Sequence, residues 1–159
     1  MKSKRWLTYG LIVAVVVIVG IQLVPIDRTN PPVTAALSAP TEVAAILERS
    51  CYDCHSNQTR WPWYGYVAPA SWLVADDVHE ARGHLNFSSW GEMSSIKQSY
   101  MRDEMWEEVE EGEMPLWLYT LVHRQARLSA QDKEVLKGWC VGEEEEEEGD
   151  IAPADHHEP

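Results

Sequence analysis

The sequence predicts an all-α protein, a small helical domain behind one N-terminal transmembrane helix. Three observations point there. The chain opens with an apolar run long enough to cross a bilayer as a helix. Farther on, apolar residues recur at three- and four-residue steps, and no stretch sustains two-residue alternation. A lone C-x-x-C-H motif, Cys51-Tyr52-Asp53-Cys54-His55, stands at the end of the first of these periodic segments.

Lys2, Lys4 and Arg5 precede an apolar run from Trp6 to Val24. About 20 apolar residues suffice to span a membrane. A cleaved signal peptide would have a shorter apolar region ending in a small-x-small site. This run ends Gln22-Leu23-Val24-Pro25-Ile26-Asp27, so residues 1–26 read as an uncleaved anchor. The basic flank before the span places the N-terminus in the cytoplasm and the rest outside it. Residues 27–40 carry Pro31-Pro32 and Pro40 and read as an extended linker.

The domain is expected over 41–142. Thr41 is a suitable N-cap, and Val43, Ile46 and Leu47 share a helix face that ends at Cys51. Asn57 to Tyr66 is a loop set by Pro62 and Gly65, with aromatics that would cover the core, wall a cofactor, or do both. Pro69 suits the first turn of a second helix. Its stripe is Ala70, Leu73, Val74, Val78 and Ala81, and Gly83 is its stop. Asn86 to Gly91 is turn-rich. A third helix is expected over 94–111, with Met101, Met105 and Val109 in register and Gly112 at its end. Glu113-Met114-Pro115-Leu116-Trp117 reads as a loop. Ser129 and Asp132 form a capping-box pattern before a last helix striped by Val135, Leu136, Trp139 and Cys140. Residues 143–159 begin with an unbroken acidic run and read as a disordered tail. His156 and His157 within it are weak evidence for a metal.

The chemistry centres on the motif. C-x-x-C-H reads as a c-type haem attachment site. Two thiols about one helical turn apart can add to the two vinyl groups of one haem, and the following histidine is carried under the iron. Half a zinc site or a thioredoxin-like pair are the other readings. A zinc site wants a second ligand pair, and the remaining cysteine, Cys140, is isolated. A thioredoxin-like pair wants alternating strands and helices. Eight Trp and a single Phe suit a large flat cofactor, though Trp is also simply a bulky core residue. Iron held by His55 has a second face to fill, and Met with His is the cytochrome c arrangement. Met93, Met101, Met105 and Met114 are the internal candidates. Met101 and Met105 sit on a helical face, where core packing is the default. Met114, between Gly112 and Pro115, lies where a loop can present a thioether end-on. His79, His84 and His123 are the competing imidazoles.

These residues resemble the bacterial haem-binding domain family, a c-type cytochrome group. The resemblance covers about Val24 to Val141. It rests on Val24-Pro25-Ile26-Asp27-Arg28-Thr29-Asn30-Pro31-Pro32, the C-x-x-C-H stretch through Ser56-Asn57, and Arg60-Trp61-Pro62-Trp63-Tyr64. It continues in Leu85-Asn86-Phe87-Ser88-Ser89-Trp90 and Glu110-Glu111-Gly112-Glu113-Met114-Pro115. It implies one covalent haem c on Cys51 and Cys54, His55 as proximal ligand, and a cytochrome c-like helical fold. Where the family commonly has Met-Pro-Pro-Trp, this chain has Met114-Pro115-Leu116-Trp117, which keeps the methionine.

The expected function is single-electron transfer outside the cytoplasm by a haem domain tethered to the bacterial cytoplasmic membrane. A haem enzyme, or a gas or redox sensor with an open or labile sixth position, is the alternative. A net charge of −13 disfavours nucleic acid, whose binding relies on Lys and Arg, and suits redox partners with a basic docking face. Cys140, left over after haem attachment, reads as a core cysteine, with pairing between chains as the other option.

Overall fold

The structure is a computed structural model and describes residues 2–142. The acidic tail lies outside the described residues. Seven α-helices and three short 3-10 turns make up the fold, with no strand among the described residues. The all-α expectation holds.

Helix α1 (Lys2–Ile21) has a mean hydropathy of 1.8 over Lys4–Ile21, none of it buried against the rest of the protein. Twenty residues at 1.5 Å each give about 30 Å, the thickness of a bilayer's hydrocarbon core. Length and composition therefore allow a membrane span. The segment 27–40 has no helix or strand, but it is strapped onto the domain rather than loose. Asn30 donates to the Thr59 carbonyl, and the Pro32 carbonyl accepts from the Asn57 amide. Backbone N–H groups of Thr34 and Ala35 reach Ser88, and that of Leu37 reaches Phe87.

Helix α2 (Thr41–Ser50) buries Val43, Ile46, Leu47 and Ser50. The cap position belongs to Pro40, whose carbonyl accepts from Ala44 N–H; Thr41 is the first helical residue and caps nothing. Proline can hold this place because a cap already has non-helical dihedrals. Cys51, at φ −126° and ψ −34°, breaks the helix, and α3 (Tyr52–His55) turns away from it.

Helix α4 (Ala70–His84) has Pro69 as its cap and runs past Gly83 to His84, where Leu85 turns extended. Gly83 lacks the left-handed dihedrals that would stop a helix there. The expected apolar stripe is only partly inward. Val78 is buried, but Leu73 is 55 % exposed and Ala81 lines a pocket.

Helix α5 (Ser95–Glu111) matches its expected bounds closely. Ser94 Oγ accepts from Lys97 N–H, and Gly112 ends the helix at φ 82°, a conformation open to glycine at little cost. Met101, Met105 and Val109 are all buried. Helix α6 (Trp117–Val122) starts at the last residue of the expected 113–117 loop and was not expected from the sequence. It is one and a half turns long and has no side-chain cap, so its local signal is weak. Helix α7 (Ala130–Cys140) begins with the predicted capping box, both halves present, and Arg49 pairs with Asp132 at 2.9 Å.

The core lies where α2, α5 and α7 meet, around Leu47, Met101 and Leu136, closed by Phe87 and Trp90. Cys140 is buried in it. The capping box gives a direct test of the α7 assignment. Ser129→Ala removes a hydroxyl that accepts from the Asp132 N–H, and should cost about 1 kcal/mol in denaturant unfolding. An unchanged midpoint would show that the cap does not hold α7.

Candidate functional site

A cavity of about 610 Å³ opens between α3 and α4 on one side and α5 with the 114–119 segment on the other. It lies within the usual range for a cofactor pocket, about 300–1,000 Å³. The structure brings Cys51, Cys54, His55 and Met114 to its walls together. Leu85, Phe87, Met101, Met105 and Val109 supply apolar surface.

The local chain explains how the motif faces this space. The Cys51 carbonyl accepts from both Cys54 and His55 N–H groups, so one tight turn sets the two thiols and the imidazole on one side. His55 Nδ1 lies 3.2 Å from the Leu85 carbonyl oxygen. A proton held there leaves Nε2 as the free lone pair, the arrangement that orients metal-binding histidines. Burial lowers the His55 pKa, with His84 adding to the effect and the Leu85 bond opposing it. The ring is therefore neutral, as a ligand must be. Burial likewise pushes the Cys51 and Cys54 thiols up to about 12, keeping them protonated.

A polar net backs the motif. Arg82 donates from Nε to the Ser56 carbonyl, and from its terminal nitrogens to Thr29 O, Asn30 Oδ1 and Thr59 Oγ1. Asn57 accepts from Asn86 at 2.8 Å, and its N–H donates to Ser88 Oγ. Three distant stretches of sequence, at 28–32, 56–59 and 86–88, are thus tied together behind the two cysteines.

Two further residues were not singled out from the sequence. Asp53, between the cysteines, accepts from Tyr119 Oη at 2.7 Å and from Arg60 N–H at 3.2 Å. Burial, then the bond to Asp53, raises the Tyr119 pKa, so the phenol remains a donor. This pair ties α6, and with it the Met114 segment, to the C-x-x-C-H turn. Met114 is half-buried, and its N–H donates to the Glu108 carbonyl at 3.0 Å.

The other candidates divide. Met101 and Met105 touch the cavity while serving as core, and Met93 packs against the core outside it. His84 lies at the cavity wall with Nε2 3.0 Å from Glu104 Oε1. His79 is absent from the lining. His123 is engaged elsewhere, bonded to Tyr64 Oη at 2.8 Å and stacked on Tyr119. The aromatic loop does not wall the cavity, and its rings are covered unequally, with Trp61 and Tyr64 half-buried. None of residues 57–66 lines the cavity, and Trp63 is 77 % exposed. Its Pro and Gly shape a 3-10 turn (Trp63–Tyr66) that packs on α4 from the outside.

The haem-binding domain family model matches residues 16–141. The chain belongs to the haem-binding domain family. No curated protein and no solved structure matches it. Family membership makes the protein a haem protein, and the cavity suits the group: large, mostly apolar, with a neutral histidine whose orientation is set. Among the described residues no three His, Cys, Asp or Glu side chains are grouped to bind a metal ion directly.

Proposed function

We propose that this haem-binding domain is a membrane-tethered c-type cytochrome that passes single electrons outside the cytoplasm. The observation that carries the reading is the convergence of Cys51, Cys54, His55 and Met114 on one cavity. Cys51 and Cys54 would hold the porphyrin through thioether bonds, and His55 would bind iron through Nε2. Met114, from the far wall, would supply the sixth ligand. Bound haem c supplies a one-electron Fe(III)/Fe(II) couple. The protein's part is to fix that couple in an apolar site and keep the ligand set unchanged between oxidation states. The Leu85 carbonyl holds the His55 ring, while the Glu108 carbonyl and the Asp53–Tyr119 bond hold the Met114 segment.

Asp77, Glu80, Glu104 and Glu108 edge the cavity, and the chain carries a net charge of −13. A redox partner with a basic face fits that charge, and its association should weaken with salt. With Lys4 and Arg5 ahead of the span, the domain belongs on the periplasmic side of the cytoplasmic membrane.

One observation favours a second reading. His84 and Glu104 form a hydrogen-bonded acid–base pair at the cavity wall, which a haem enzyme or sensor with a labile Met114 could use. Absorption spectra of the purified holoprotein separate the two. The carrier should show sharp low-spin bands, a weak thioether-to-iron band and no CO uptake. High-spin haem that binds CO readily would sink the carrier reading.

A further inference from the structure

The geometry points to a second membrane contact: the exposed face of Trp63, Tyr66, Trp72 and Leu73 lies in the bilayer interface and fixes the orientation of the haem domain. This inference rests on the reading of α1 as a membrane span. Just past the end of α1, Gln22 grips the backbone of Ala68 from both sides. Its Nε2 donates to the Ala68 carbonyl at 3.2 Å, and its Oε1 accepts the Ala68 N–H at 3.1 Å. Farther along, Arg28 Nε donates to the Gly65 carbonyl at 2.7 Å, and its guanidinium lies 4.8 Å from the Tyr66 ring centre. Residues 65–68 are therefore held beside the point where α1 would leave the bilayer.

What is exposed there is apolar and largely aromatic. Trp63 is 77 % exposed and Tyr66 57 %, and they stand three residues apart in a 3-10 turn, where such side chains eclipse. Trp72 and Leu73 follow in the first turn of α4, which packs on that 3-10 turn. A cluster of this kind on a monomer marks an interaction surface. Trp and Tyr are the residues enriched at the headgroup level of membranes, apolar in body and polar at one edge. The occupant is lipid rather than protein because the Gln22–Ala68 clasp makes the patch continue the exit of the span. Asp76 stands four residues after Trp72 and is exposed, so it sets the water side of the contact. The cavity lining begins with the next residue of α4, Asp77. Docking of this face would thus set the direction in which the haem site opens.

The test uses the full-length holoprotein in phosphatidylcholine nanodiscs, with radiolytic hydroxyl-radical footprinting read residue by residue. Each rate is normalised to the same residue in the unfolded chain. Tyr9 reports on the span, and Tyr100, 56 % exposed on α5, reports on open water. Trp63 and Tyr66 should react about tenfold more slowly than Tyr100, as expected for rings lodged at headgroup level. Phosphatidylcholine carrying a diazirine near its carbonyl should cross-link within residues 63–73. If Trp63 reacts like Tyr100 while Tyr9 is protected, the docking inference falls and the anchor stands. Protection of Trp63 without lipid cross-links would assign the face to another protein surface and also overturn the inference. A reactive Tyr9 would remove the anchor itself, and the docking inference with it.

Discussion

Replacing both Cys51 and Cys54 by Ala should leave no haem on the polypeptide after extraction with acidic organic solvent, while the wild-type chain should retain all of it. The two thiols lie on one wall of the cavity, one turn apart, with neither taken up in a disulfide. In the variant the histidine and the apolar walls are untouched. Any haem that still enters would be held by coordination and packing alone, and acid breaks both. The loss is all-or-none rather than graded, because a single thioether already survives the extraction. His55→Ala should also block maturation, since His55 is the ring that the Leu85 carbonyl orients, and His84, which also lines the cavity, is engaged with Glu104. Haem that leaves the wild-type protein with the solvent would overturn covalent attachment and, with it, the role given to both cysteines.

How far this could be read from sequence depended on whether the signal was local. Helix α5 was legible because its stripe and its terminal glycine both lie within the segment they define. The same holds for α7 and its capping box. Helix α6 was missed because what holds it is not local. Tyr119 bonds to Asp53, 66 residues away, and nothing in Trp117–Val122 announces that pairing. Residues 27–40 read as a tether because their prolines forbid regular structure, and the prolines do so in the fold. The hydrogen bonds that strap the segment to Ser88 and Phe87 are tertiary. Which rings of the aromatic loop face outward was not legible for a related reason, since burial cannot be inferred from ring count alone: Trp63 and Tyr66 are exposed. At the site, the placing of Cys51, Cys54 and His55 on one cavity was legible because a single tight turn carries all three. The Asp53–Tyr119 tie was not, because Asp53 occupies a position that the motif leaves open.

Met114→Ala should lower the reduction potential by more than any substitution of a single surface carboxylate. The sulfur is a soft, neutral donor that favours Fe(II), and the Met/His pair is the arrangement that raises haem potentials. Axial ligands and their surroundings spread haem potentials over about 0.8 V, whereas a surface charge acts through solvent and salt. The backbone at Met114 should survive the change, because Gly112, the Glu108 carbonyl and the Asp53–Tyr119 bond hold it independently of the side chain. If Met114 binds the iron, the variant is therefore a change of ligand more than a change of fold. The site would then be empty, filled by water or captured by a histidine, and each outcome should lower the potential and abolish the thioether-to-iron band. Met101→Leu and Met105→Leu are the controls. Both side chains are buried in the core, and such volume-conserving swaps usually cost less than about 1.5 kcal/mol. They should leave the band in place. Their outcome matters because both residues also touch the cavity. If Met114→Ala keeps band and potential while one of these swaps loses them, the ligand belongs to α5, and the 114–119 segment is only a wall of the site.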